Sequence, residues 1–195
     1  VISLPGSDVY IAQKHWLFRL MAKYSSMHSA CICADSPQYI KELGKACVVN
    51  VPTYIVPYPV NTDMVKPTTK GVLNLRKTLG AIKKTIIILG VGRMVYKKGF
   101  NCLIEAVARL YKTRRNIRLI LIGEGDQMGE WDALTKSLGI ENIVDFVGSI
   151  SRSDIVIYYN SCDIFVMPSV ADQFGNIDDR PVALSEAMAC GVPVV

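Results

Sequence analysis

No run of apolar residues in this chain approaches the roughly eighteen that a membrane-spanning helix needs, and no signal peptide opens it. That excludes a helical anchor within these residues. Nor is there a Cys-x2-Cys pair with a second half-site. The six cysteines are Cys31, Cys33, Cys47, Cys102, Cys162 and Cys190, two of them in an apolar run. They read as buried thiols in a reducing compartment rather than as a zinc site or a disulfide framework. The two histidines, His15 and His28, stand outside any partnered motif. Acidic residues are scarce in one half only. Residues 1–84 carry 4 Asp/Glu against 11 Lys/Arg, whereas residues 85–195 carry 13 against 11. The basic first part suits an anionic membrane surface or an acidic substrate, or is simply a solvated basic face.

Half of the residues are apolar and a fifth are charged, so the chain can bury a core and is not a disordered tract. It starts at Val1 rather than at methionine and stops inside an apparent strand, Val192-Pro-Val-Val195. It therefore reads as a piece of a longer protein.

The stretch from Thr85 to Phe100 organises the rest. Ile86 to Leu89 is an apolar run bounded by glycine, as in a strand buried on both faces of a parallel sheet. Gly90-Val91-Gly92 lets the backbone turn and approach a ligand closely. Arg93 and Lys98 follow, and an amphipathic helix opens near Asn101. Strand end, glycine turn, two cations and a helix N-terminus together suit a polyphosphate. A dinucleotide fingerprint is excluded, because Val95 stands where its third glycine belongs and no acidic residue follows at the ribose distance. A Walker loop is excluded too, since no Gly-Lys-Ser/Thr follows. An ordinary strand-to-helix loop with solvated cations fits the same residues.

Around that stretch, Val9 to Met27 shows helical spacing, with Ser7 or Asp8 as N-cap and Lys14, Arg19 and Lys23 off the apolar stripe. This predicts a core-facing helix with basic residues in water; a membrane-surface helix is the alternative. Ser29–Ala34 reads as a strand, and a helix from Ser36-Pro37 stops at Gly44. Proline and turn residues mark a junction around residues 60–72, with a short helix from Val72 to Leu79. Beyond Thr85, strands (118–122, 144–147, 164–167 and 192–195) alternate with helices (from 101, 128–138, 153–159 and 181–189). That alternation predicts a parallel sheet with right-handed crossovers, whose ligands bind beyond the C-terminal strand ends.

At one such end lies Ala171-Asp172-Gln-Phe-Gly175-Asn-Ile-Asp178-Asp179-Arg180-Pro181, and the following helix carries Glu186, with seven residues between Asp178 and Glu186. A carboxylate accepts two hydrogen bonds at once, which suits the vicinal hydroxyls of a sugar. Cations on one loop and acids on its neighbour match the two halves of a nucleotide sugar. Local capping or pairing of Glu186 on a surface helix is the competing reading.

Taken together these residues resemble the retaining GT-B glycosyltransferases of the glycosyl transferases group 1 family. The resemblance rests on Gly92-Arg93-x4-Lys98-Gly99-Phe100, Leu119-Ile-Leu-Ile-Gly-Glu-Gly125, Val144-Asp-Phe-Val-Gly148 and Asp178-x7-Glu186-Ala-Met-Ala-Cys-Gly-Val-Pro-Val-Val195. Pro57-Tyr-Pro-Val-Asn-Thr-Asp63 is similar to the family's interdomain segment, and Gly6-Ser7-Asp8 to a weaker signature of its first domain.

The resemblance implies an α/β protein of GT-B type, with a Rossmann-like parallel-sheet donor domain and the C-terminal part of a second Rossmann-like domain. Residues 1–66 would be the acceptor-side remnant, 67–84 an interdomain linker and 85–195 the nucleotide-sugar-binding domain. Arg93 and Lys98 would stabilise the departing diphosphate, and Asp178 would contact the transferred hexose. Gly92, Val147, Gly148, Asp179, Arg180 and Glu186 would bind the donor, Glu186 at the ribose and Val147–Gly148 beside the base. Asp172, in an imitation of the family's Glu-x-Phe-Gly, competes with Asp178 for the role of first acid. Asp179 replaces a glycine of one family branch.

The implied reaction moves a hexosyl group, with retention, from a uridine or guanosine diphosphate sugar (GDP-mannose among them) to a sugar, lipid-linked or small-molecule acceptor. Neither metal nor cofactor is required, and no nucleic acid is involved. Polysaccharide biosynthesis in the cytoplasm is the setting, with peripheral membrane contact through the basic first part. The fragment alone is expected to be inactive. A catalytically impaired nucleotide-sugar-binding protein and a GT-B sugar-nucleotide epimerase remain as alternatives.

Overall fold

The computed structural model describes every residue except Pro5, Gly6, Ile82, Lys83, Phe174, Asn176 and Asp179, and all side chains among them but those of residues 7 and 8. The N-cap expected at Ser7 or Asp8 therefore falls outside the described side chains. Contacts divide the chain into two compact units, Val1–Pro59 with Ala171–Arg180, and Val60–Val170 with Pro181–Val195.

In the first unit three short parallel strands, β1 (Ile2–Leu4), β2 (Ile32–Ala34) and β3 (Thr53–Ile55), lie in the order β1-β2-β3. Helices α1 (Ser7–Lys14), α2 (Trp16–His28) and α3 (Pro37–Ala46) accompany them. The single helix expected over this first apolar stripe is two, parted at His15, whose backbone is extended (φ −115°, ψ 121°). The apolar spacing runs on through the break, so periodicity could not reveal it.

Helix α3 begins as expected: the Ser36 side chain accepts from the Gln38 N–H at 3.1 Å and Pro37 takes the first turn. It does not stop at Gly44. That glycine lacks the left-handed backbone a C-cap requires, and the helix runs on to Ala46. Buried Glu42 joins α3 to α1, accepting from Gln13 Nε2 at 2.8 Å, Gln38 Nε2 at 2.7 Å and Lys45 Nζ at 2.7 Å. The Lys45 hydrogen bond leads in holding its carboxyl below the ordinary carboxylate range, against the opposing effect of burial.

The core-facing role expected of α2 is corrected. Only its Ser26 is buried, while Trp16 is 74% and Met27 65% exposed. The reason is that α1 and α3 already supply the core, through Val9, Tyr10, Tyr39 and Leu43.

The second unit opens with α4 (Val72–Thr78), inside the stretch read as a linker. That stretch is fastened to its own unit. The Asn160 side chain accepts from the Thr68 N–H at 2.8 Å, and Arg76 donates to the Ser161 carbonyl, to Asp163 and to the Thr85 carbonyl at 2.7, 3.1 and 2.6 Å.

Strands β4 (Ile86–Val91), β5 (Ile117–Ile122), β6 (Val144–Gly148) and β7 (Ile164–Phe165) follow, all parallel, in the order β6-β5-β4-β7. Between them run α5 (Phe100–Thr113), α6 (Met128–Ser137) and α7 (Ile155–Ser161), and α8 (Val182–Ala189) comes last. The final segment lies parallel to β7 at a bridge between Phe165 and Val194, with Phe165 N–H donating to the Pro193 carbonyl and Val195 N–H to the Phe165 carbonyl, both at 2.9 Å.

Leu89 pairs with Ile120 on one side and Phe165 on the other, so β4 is the inner strand where the winding direction reverses. A crevice opens beyond the strand ends at such a reversal, because the connections on its two sides leave in opposite directions. Beneath it sits the core, with Leu89, Leu119, Ile120 and Phe165 fully buried and Phe100 edge-on to Trp131 at 5.5 Å. All six cysteines are free thiols; Cys47 and Cys190 are buried as expected, but Cys102 is exposed on α5.

Candidate active site

The ends of β4 and β5 approach each other through glycine. A side chain at Gly123 (φ 133°) would collide with the Gly92 carbonyl, so only glycine lets these two turns close. The contact is locked by Gly92 N–H donating to the Ile122 carbonyl at 2.9 Å. After Gly92 the chain makes an excursion before α5 begins. Arg93 is exposed, but Met94 is fully buried, its N–H donating to the Glu124 carbonyl at 2.8 Å while its own carbonyl accepts from Gln127 at 2.9 Å. Met94 thus anchors the loop that carries both cations.

A single 3-10 turn, Tyr96–Lys98, then returns Lys98 towards the strand end. Lys98 is only 9% exposed, and its stem crosses Gly92 so closely that a β-carbon there would sit 3.0 Å from Cε and 3.2 Å from Nζ. Gly92 therefore gives room to the lysine as well as to the turn. Gly99 (φ 65°) precedes α5 at Phe100, one residue earlier than expected; a side chain on it would strike the Pro168 carbonyl.

On the neighbouring strand, Val147 is half-buried at an irregularity where Ile122 pairs with Gly148. Gly148 (φ 77°) accepts from Gly123 N–H at 2.9 Å, and the next amide, Ser149, donates to Glu124 Oε1 at 3.3 Å. Glu186 projects from α8, five residues into a helix that Pro181 caps. Its side chain is 13% exposed, accepts from the Tyr159 hydroxyl at 2.9 Å on Oε2, and has the Arg152 guanidinium 3.8 Å from Oε1. Tyr159 is fully buried; that burial, reinforced by the adjacent Glu186 carboxylate, pushes its hydroxyl far up, so it remains a donor.

These parts meet in one cleft of about 280 Å³, whose walls include Gly92, Gly123, Ser149, Arg152, Tyr159 and Glu186. Glycine turns form one side, a half-buried carboxylate held by a phenol another, and the cation loop continues from Gly92. Such a cleft suits a ligand carrying both hydroxyls and negative charge. The residues expected from two distant motifs, Gly92 and Glu186, are thereby brought together, with Lys98 against Gly92 and Val147–Gly148 on the adjoining strand. Asp178 is half-buried and Arg180 exposed; they lie with Asp172 in Ala171–Arg180, the segment grouped with the first unit. Asp179 lies outside the described residues.

Three contributors escaped the sequence reading, Met94, Arg152 and Tyr159, while Glu124 stood in a motif without a role assigned to it. Tyr159 falls on the same helical stripe as Ile155 and reads as core, while Met94 between two cations offered only a faint signal of an anchored loop.

A family model described as "Glycosyl transferases group 1" matches residues 46–195. An uncharacterized glycosyltransferase of Methanocaldococcus jannaschii is 35% identical over 123 residues, 63% of this chain and 30% of that protein. A GDP-mannose-dependent alpha-(1-6)-phosphatidylinositol monomannoside mannosyltransferase of Mycolicibacterium smegmatis is 26% identical over 72% of this chain and 37% of its own. In structure the chain is similar to Anabaena HepE, solved in complex with UDP and glucose, with a TM-score of 0.78 and 22% identity over 99% of this chain and 51% of that one. The matched region is thus 30 to 51% of these proteins' own length. The folding pattern is that of the GT-B glycosyltransferases, and the chain belongs to the glycosyl transferases group 1 family.

Proposed function

We propose that this chain forms part of a retaining glycosyltransferase that moves a hexosyl group from a nucleoside diphosphate sugar to a sugar, lipid-linked or small-molecule acceptor. The observation that carries the reading is the single cleft shared by Gly92, Gly123 and Glu186, with the Lys98 stem pressed against Gly92. A nucleoside diphosphate leaves with growing negative charge, and preorganised cations lower the barrier to that departure.

In this reading Arg93 and Lys98 receive the diphosphate, so that no metal is needed for the task a divalent ion performs elsewhere. Glu186 holds the ribose hydroxyls, the Val147–Gly148 backbone adjoins the base, and Asp178 contacts the hexose. Asp179 and Arg180 complete the donor site. The UDP bound to Anabaena HepE and the GDP-mannose dependence of the mycobacterial relative support a nucleotide-sugar donor. The basic charge of residues 1–84 supports peripheral contact with an anionic membrane surface, which would place the reaction at the cytoplasmic face. The chain by itself is expected to lack transfer activity.

The test is Lys98→Ala in the full-length protein, assayed with UDP-, GDP- and ADP-sugars. Its barrier to transfer is expected to rise by about 2–4 kcal/mol, the scale of losing one preorganised charge partner. Turnover at the wild-type rate would overturn the assignment. A wild-type protein that binds a donor without transferring from it would instead identify a binding protein.

A further inference from the structure

Glu186 could satisfy its proposed role as an exposed, freely rotating acid, but the structure holds it differently. Its Oε2 takes a hydrogen bond from a phenol with no solvent exposure, at 2.9 Å, and Tyr159 is itself braced edge-on against Phe165 at 5.8 Å. Neither partner can move without disturbing the core beneath β4 and β7. Oε1 faces a different neighbour: the Arg152 guanidinium, at 3.8 Å on a side chain that is 71% exposed and can swing away. One oxygen is therefore anchored and the other only loosely engaged, at the wall of the cleft.

We propose that Tyr159 is a positioning residue for nucleotide recognition: its buried hydroxyl fixes the Glu186 carboxylate so that Oε1 is presented to a ribose diol, which displaces Arg152. The proposal rests on the assignment of Glu186 to the ribose. A carboxylate held in one rotamer loses less conformational freedom on binding than a free one, so the diol is gripped more tightly. Burial keeps the phenol protonated, so the anchor persists across the working pH range.

The experiment measures binding of UDP, GDP and their 2′,3′-dideoxy counterparts to the full-length protein by calorimetry, with thermal melts on every variant. Wild-type protein is expected to prefer its ribose nucleotide over the dideoxy form by about tenfold, the worth of one hydrogen bond to a charged group. Glu186→Ala should abolish that preference; a wild-type protein without it, or a Glu186→Ala variant that keeps it, would sink the ribose assignment itself.

Given that preference, Tyr159→Phe is expected to lose most of it while its affinity for the dideoxy nucleotide is unchanged. Tyr158→Phe, on the adjacent residue, should behave as wild type. A folded Tyr159→Phe protein with the full preference would overturn the positioning role and leave Glu186 untouched. A Tyr159→Phe protein that fails to fold would also overturn it, by making the hydroxyl structural.

Discussion

In the second unit every residue of β5 but Arg118 is buried, and the rings of Phe100, Trp131, Tyr159 and Phe165 fill the space beneath and between the strands. In the first unit α2 carries an apolar stripe of its own, yet Trp16, Tyr24 and Met27 are 74, 66 and 65% exposed. Both units are built on parallel strands with helical connections. Their difference shows that an apolar stripe says which face of a helix can be buried, not whether neighbouring elements bury it. A central strand flanked on both sides leaves no such freedom, because its unpaired backbone groups and side chains must all be covered.

The contrast can be broken or sharpened by substitution in the full-length protein. Trp131→Ala, in the closed core, is expected to cost about 3–5 kcal/mol of stability through the cavity it leaves, read by denaturant unfolding. A much smaller loss would mean that the second unit is no better packed than the first.

Next in size is Asp163→Ala. It strands the Ile87 N–H, which now donates to Asp163 Oδ2 at 2.8 Å, and removes one of the three acceptors of Arg76. A cost of about 1–2 kcal/mol is expected, with hydrogen exchange at Ile87 rising first.

In the first unit Glu42→Gln should cost about 1 kcal/mol near neutral pH, the worth of one net hydrogen bond. The Glu42 carboxyl titrates below its ordinary range in the fold, so its contribution is complete above the unfolded value and disappears as pH falls through the folded one. Melting curves of wild type and Glu42→Gln should therefore converge in acid, below about pH 4; a constant gap would show that the carboxyl's charge is not the source.

The smallest change is assigned to Trp16→Ser, within about 0.5 kcal/mol if the exposed face of α2 meets only water. A loss beyond about 1.5 kcal/mol would show that this face is covered in the full-length protein.

Much of the second unit was readable because its signals are local and redundant. Ile86–Leu89 between polar and glycine boundaries read as a buried strand, and the glycine turn that follows it supplies Gly92 to one wall of the cleft. The other side was half readable. Glu186 stood out as an acid inside an apolar helix, but Tyr159, an aromatic on an apolar stripe, looked like core. The break at His15 and the passage of α3 through Gly44 were unreadable for a different reason: each depends on a backbone conformation that several residue types tolerate. Fastening of the 67–84 stretch to α7 depends on Arg76 and Asn160, polar residues whose partners Ser161 and Thr68 lie 85 and 92 positions away in sequence.

By itself the sequence determined the alternation of strand and helix, the inner position of Ile86–Val91 and the chemical kinds of residue that reach the strand ends, because periodicity, glycine and charge act over a few residues. Only the tertiary structure decided that Gly92 and Glu186 share a cleft, that the Lys98 stem lies over Gly92, and that a buried phenol holds the acid. Those depend on strand order, on a loop folding back over its own glycine, and on side chains meeting from separate elements, Tyr159 and Glu186 from 27 residues apart, and local preference does not encode such meetings.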